Sequence, residues 1–217
     1  MSDESPAAIG HRIVSGGVDL LRSRLLRDPP DLPLTPKRSD YDLNPQSRPI
    51  EKVDLKPAAV LLPLVFRHEP QVLLTQRTHH LTRHAGQVAF PGGRADPGDI
   101  SLVETALRET QEETGIEPAY VTIAGFLDAH ETGTGYAILP VVGLLSEGFA
   151  LSPHAAEVAE IFEVPLSFLL DPVNKKTQSR EFQGHMRTFY SFTYEGHYIW
   201  GATAAMLLNF GERITAP

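Results

Sequence analysis

Glu109, Glu112 and Glu113 fall within the run Ala106-Leu-Arg-Glu-Thr-Gln-Glu-Glu-Thr-Gly-Ile116. On a helix these acids stand at i, i+3 and i+4, so their carboxylates crowd one face. The Glu109 and Glu113 pair alone costs roughly a few tenths of a kcal/mol in repulsion. Arg108 sits at the edge of that face, four residues before Glu112, and nothing basic lies within it. A divalent cation would relieve the repulsion. Convergent carboxylate oxygens suit Mg²⁺ or Mn²⁺ and do not suit zinc, which takes nitrogen or sulfur.

Such a cluster has to be positioned by ordered elements, and the surrounding residues predict them. Ser101 and Glu104 have capping-box spacing after the turn Asp96-Pro-Gly-Asp99, and Gly115 is a fitting stop. Val103, Ala106, Leu107 and Thr110 give the helix a buried stripe, with the acids at its rim. Glu104 is expected to pair with Arg108 on the surface. Strands are predicted at 58–66, 71–76, 121–127, 137–145 and 161–164, and a hairpin at 187–194 and 197–199. Short and long helices follow at 166–170 and 202–210. Residues 9–27 read as a surface helix, and 28–57 as an irregular strap with seven prolines, too many for regular structure. Strands and helices mix without strict alternation, which predicts an α/β (α+β mixed) chain, a mixed sheet between helices. The expected division is 1–57, helix and strap, and 58–212, one compact domain.

Composition narrows the function. A chain of 217 residues, 41% hydrophobic and 21% charged, carries one full core. Its net charge of −8 argues against a general nucleic-acid or membrane-surface binder, though a metal or a local basic pocket would still admit phosphates. Without cysteine there are no disulfides, thiolate metal sites or cysteine nucleophiles. No segment reads as a transmembrane helix or signal peptide, and a cytoplasmic protein, monomer or homodimer, is expected.

Gly93, Asp99 and Arg108-Glu109-Thr-Gln-Glu112-Glu113-Thr-Gly115-Ile116 together resemble the Nudix box, G-x5-E-x7-R-E-U-x-E-E-x-G-U. The second half matches, with Thr110 at the first aliphatic position. In the first half Asp99 replaces Glu, and one extra residue precedes Arg108. Upstream, Leu73-Leu-Thr-Gln-Arg77, Gly86 and Phe90-Pro-Gly-Gly93 are similar to the signature of coenzyme A diphosphatases, with Thr78 and Thr82 departing from it. Trp200-Gly201-Ala-Thr is similar to the same branch.

The resemblance implies a Nudix-type α/β/α sandwich and Mg²⁺- or Mn²⁺-dependent hydrolysis of CoA, or its thioesters, to 3′,5′-ADP and 4′-phosphopantetheine. It implies Glu109 and Glu113 as metal ligands and Glu112 as ligand or base. Arg108 would hold the glutamates, and Glu157 is a further candidate ligand or base, its alternative being a solvated helix-end charge. Gly92 and Gly93 would let the backbone approach the substrate and a glycine carbonyl complete the coordination. Arg77 and Arg83 would grip phosphate oxygens, against the alternative of surface salt bridges. NADH, ADP-ribose or a nucleoside triphosphate is the rival substrate, and a non-catalytic nucleotide-binding module the rival class. His79, His80 and His84 read as loop histidines near a phosphate pocket and not as a zinc set.

Overall fold

Strand β2 (Lys56–Phe66) is apolar almost throughout because both of its faces are covered. In the computed structural model, which describes residues 5–50, 54–182 and 184–216, its odd and even positions enter different cores. Ala59 and Leu61 meet Leu102 and Ala106 of helix α2 (Leu102–Thr114). Val60, Leu62 and Leu64 meet α1 (Pro6–Arg24), α3 (Leu166–Leu170) and α4 (Gly201–Thr215). Helices therefore lie on both faces of one sheet, the expected α/β/α sandwich.

That sheet is mixed. Strand β8 (Tyr136–Leu145) runs parallel to β2, pairing Lys56 with Tyr136 through Val65 with Leu145. On the other edge of β2, β3 (Pro70–Arg77) and β5 (Gly92–Arg94) are both antiparallel, at its C-terminal and N-terminal ends. Beyond β3 lies β9 (Val158–Pro165), and β4 (Val88–Ala89) follows β2 along the near edge of β3. Beyond β8 lie β6 (Val121–Phe126) and β7 (His130–Glu131), with β1 (Arg38–Ser39) against β7. A separate antiparallel sheet is formed by β10 (Lys176–Phe182), β11 (His185–Tyr194) and β12 (His197–Trp200).

Several expectations need correction. The hairpin at 187–199 gains β10 as a third strand, invisible beforehand because Lys-Thr-Gln-Ser-Arg-Glu-Phe is polar on both faces. The first helix ends at Arg24, ahead of the expected 27, and its neighbour Leu26 instead bridges Phe126. The strap carries β1 and a short 3₁₀ turn, and buries Leu34 and Tyr41. Asp3, Glu4 and residues 51–53 of the strap lie outside the described residues. Among the described residues no helix is long and apolar enough to cross a membrane.

Candidate active site

Helix α2 starts and stops as its sequence predicts. Ser101 Oγ accepts from the Glu104 N–H at 3.2 Å, and Gly115 closes the helix in the left-handed region at φ 80°. The buried stripe, however, is Leu102, Thr105, Ala106, Thr110, Glu113 and Thr114, with Val103 and Leu107 only half-buried. The stripe is rotated toward the glutamates because α2 lies across β2 and β5, where small Thr and Ala side chains let the backbones approach. Glu113 consequently belongs to the buried face. Its side chain is 7% exposed, against 21% for Glu109 and 61% for Glu112.

Burial decides the electrostatics. Desolvation pushes the Glu113 carboxyl up to about 7, although the Gly92 N–H and Arg77 pull the other way. The neighbouring charges of Glu109 and Glu157 add to the rise. Glu109 is also raised, again chiefly by desolvation. The Gly92 N–H donates to Glu113 Oε2 at 3.3 Å, and Arg77 Nη1 lies 3.5 Å from Glu113 Oε1. A basic group from β3 thus reaches the acidic face, a neighbour that the helix sequence alone does not contain.

Arg108 is the hub. Its Nε and Nη2 donate to the two oxygens of Asp99 at 2.9 and 3.0 Å, and Nη1 donates to Glu109 at 3.0 Å and Glu112 at 3.3 Å. The forked Asp99 contact holds that carboxyl well below the usual range. Asp99 also accepts from Thr105 Oγ1 at 2.8 Å and the Asp96 N–H at 2.9 Å. The departure from the box pattern therefore leaves an acid that orients Arg108. Glu104 has another task than the expected surface pair: Oε2 accepts from the Ile100 N–H at 2.6 Å.

Gly93 shows why a glycine precedes the helix. A Cβ there would stand 2.5 to 2.7 Å from the Glu109 carboxylate. At Gly92 a Cβ would meet the Ala59 carbonyl and Val60 Cα at 2.5 Å. One glycine admits a functional side chain, and the other a neighbouring strand.

The C-terminal end of α2 has carbonyls without partners inside the helix. Ser152 N–H donates to Thr114 O at 2.7 Å and His154 N–H to Glu113 O at 3.0 Å. The His154 carbonyl then accepts from Glu157 and Val158. This backbone docking brings His154 and Glu157 to a cleft of about 250 Å³ shared with Glu109, Glu112 and Glu113. Glu157, a candidate from sequence, is thereby placed beside the acids. His154 was missed, since a lone histidine in an irregular segment carries no spacing signal.

Arg83 is exposed in the 79–85 loop and does not line this cleft. His80 and His84 belong to the same loop, where His84 pairs with Gln87 Oε1 at 2.8 Å.

An oxygen-rich cleft with two carboxyls raised by burial is chemically matched to a hard dication, whose charge would reverse that rise. Among the described residues, no three acidic or imidazole groups stand at ligand spacing. Arg108 engages Glu109 and Glu112, while Arg77 and Gly92 engage Glu113.

A NUDIX domain profile matches residues 55–183. The chain is 43% identical over 157 residues to a Photorhabdus laumondii protein named uncharacterized Nudix hydrolase NudL, covering 72% of this chain and 84% of that one. A protein of the same name from Yersinia enterocolitica is 42% identical over 157 residues, covering 72% and 80%. Among solved structures, the MutT protein of Methanosarcina mazei Go1 aligns at 26% identity with a TM-score of 0.42, covering 55% of this chain and 83% of that one.

Proposed function

The chain belongs to the Nudix hydrolase family, and on that premise we propose that it hydrolyses the diphosphate of coenzyme A or a CoA thioester with Mg²⁺ or Mn²⁺. The broader activity follows from membership: a hydrolase of diphosphate linkages in nucleotide-type substrates that uses divalent ions. The observation carrying the narrower reading is the contact between Arg77 and Glu113. It joins the segment resembling the CoA diphosphatase signature to the helix bearing the acids.

Glu109 and Glu113 would hold the ion, with Glu112 and Glu157 completing an oxygen set. Held there, such an ion would supply positive charge to the diphosphate oxygens that otherwise repel an incoming water. The Arg77 side chain keeps 26% of its surface exposed beside Glu113, so the open end of its guanidinium would have donors to offer a phosphate oxygen. Arg108, fixed by Asp99, keeps Glu109 and Glu112 near one another despite their repulsion.

Among the described residues Glu157 is the cleft carboxylate on which no arginine rests, which favours it as proton acceptor. Water attacks one phosphorus, the anhydride P–O bond breaks, and its electron pair leaves with the departing phosphate. The water's proton passes to the carboxylate. The products are 3′,5′-ADP and 4′-phosphopantetheine.

Incubation with CoA and Mn²⁺, followed by chromatography, tests the reading. Equal amounts of 3′,5′-ADP and 4′-phosphopantetheine are expected, with none formed in excess EDTA. Turnover of ADP-ribose, NADH or a nucleoside triphosphate with CoA left intact would refute the CoA assignment and retain the chemistry. Binding of all of these without turnover would leave the non-catalytic module.

A further inference from the structure

On the other face of β3 from the acidic cleft, a second cleft of about 540 Å³ opens between the 85–87 loop and the three-stranded sheet. Its size is that of small-molecule sites. Its wall carries Tyr198 and Trp200, which stand at i and i+2 on β12 and so share a face. Their rings lie within 24° of parallel at 6.4 Å between centroids. Phe189 packs edge-on against Trp200 at 5.2 Å and fixes its orientation. Tyr198 donates to Gln178 Oε1 at 2.8 Å, which steadies the outer ring although the residue is 38% exposed.

Polar groups surround this aromatic wall in a pattern that suits a base. Gln76, Gln87 and Gln178 line the cleft, and each amide has donors or acceptors beyond the single bond it makes. Arg180 adds a cation at the lining. A purely apolar ligand would leave these groups unsatisfied; a strongly acidic one would not need the rings.

The C-terminal end of β3 serves both clefts. Gln76 lines the second cleft, while Arg77, next in the strand, points to Glu113 in the first. Thr78 follows, and its N–H and hydroxyl donate to Glu157 O and Ala156 O, holding the loop that carries Glu157. Thr78 O accepts from Gly86 N–H, and Gln76 Nε2 donates to Gly86 O, holding the rim of the second cleft. Three consecutive residues thus pin one wall of each.

We propose that the cleft floored by Tyr198 and Trp200 receives the nucleoside of the substrate, with the purine on the aromatic rings and Arg180 on a ribose phosphate. The inference rests on the nucleotide-diphosphate reading above and assigns its base to a site across the edge of the sheet from the glutamates. Specificity for a purine-bearing diphosphate then comes from β12, while hydrolysis comes from α2.

Trp200 is the sole tryptophan of the chain, so its fluorescence reports directly on this cleft. The probe is 3′,5′-ADP in excess EDTA, which silences hydrolysis, with excitation at the red edge of the indole band. Saturable quenching is expected for the wild type. Tyr198→Ala should weaken it about tenfold, the usual worth of one stacking partner, and Tyr198→Phe should stay within about twofold of wild type. In turnover assays Tyr198→Ala should raise KM about tenfold and leave kcat within about threefold.

Absence of saturable quenching, or equal quenching in Tyr198→Ala, would overturn the assignment. Quenching by 4′-phosphopantetheine in place of 3′,5′-ADP would overturn it too, by giving the cleft to the other arm. Nucleotide quenching in an enzyme that leaves CoA intact would instead retain the nucleoside site and remove the CoA reading.

Discussion

Replacing Glu113 by glutamine should flatten the pH dependence of stability in the metal-free protein. The carboxyl is raised from 4.5 to about 7, so the fold favours the protonated form. That preference is fully expressed below about pH 4.5 and is lost as pH rises through about 7. At about 1.4 kcal/mol for each tenfold change in proton affinity, the metal-free wild type should lose roughly 3 kcal/mol between pH 4.5 and pH 8 through this group alone. Glutamine keeps an acceptor for the Gly92 N–H and removes the titration. Urea unfolding in EDTA at both pH values, on wild type and Glu113→Gln, gives the difference, and titrating groups that do not interact with Glu113 cancel in the subtraction. Added Mn²⁺ should restore the wild type at pH 8 and leave the variant nearly unchanged. A wild type and variant that respond equally to pH would refute the claim that Glu113 is buried against its own charge.

Further outcomes follow from individual contacts. Gly93→Ala should cut kcat by about 10²-fold while melting within a few degrees of wild type, because its Cβ displaces only the movable end of Glu109; retained activity would exclude the observed closeness. Gly92→Ala meets backbone instead, and a calorimetric loss of about 2 kcal/mol or more is expected, with a soluble but unstable protein. Asp99→Asn should lower kcat about 10- to 100-fold by releasing Arg108, and Asp99→Glu should recover part of it; unchanged kinetics would remove Asp99 from the positioning network. Thr78→Val should cost about 1 kcal/mol for the buried hydroxyl bond to Ala156 O, and hydrogen exchange should speed up at 154–158.

Periodicity and caps were readable from residue order because they act within a few positions. Ser101, Glu104 and Gly115 bound α2, and the spacing of Glu109, Glu112 and Glu113 set their common side before any partner was known. The apolar runs of β2, β3 and β8 likewise declared buried strands. The exact stripe of α2 was misread, since Val103 and Leu107 are more hydrophobic than Thr105 and Thr110, yet the close approach to β2 and β5 selects the smaller residues. β10 escaped because an exposed polar strand is specified by its neighbour β11 and not by its own pattern.

Residue order alone thus determined the carboxylate face, the glycines before it and the helix that carries both. Tertiary structure decided how those acids are charged and what joins them. Glu113 became a buried group because α2 lies across the sheet, and Arg77 became its neighbour through the pairing of β3 with β2. His154 and Glu157 entered the cleft because the last carbonyls of α2 required donors, which only a segment some forty residues downstream supplied. Arg83, beside the signature in sequence, was turned to solvent by the loop that carries it. Local preferences act over one helical turn. The field at a carboxylate depends on everything within several ångströms, and chain order does not encode that directly.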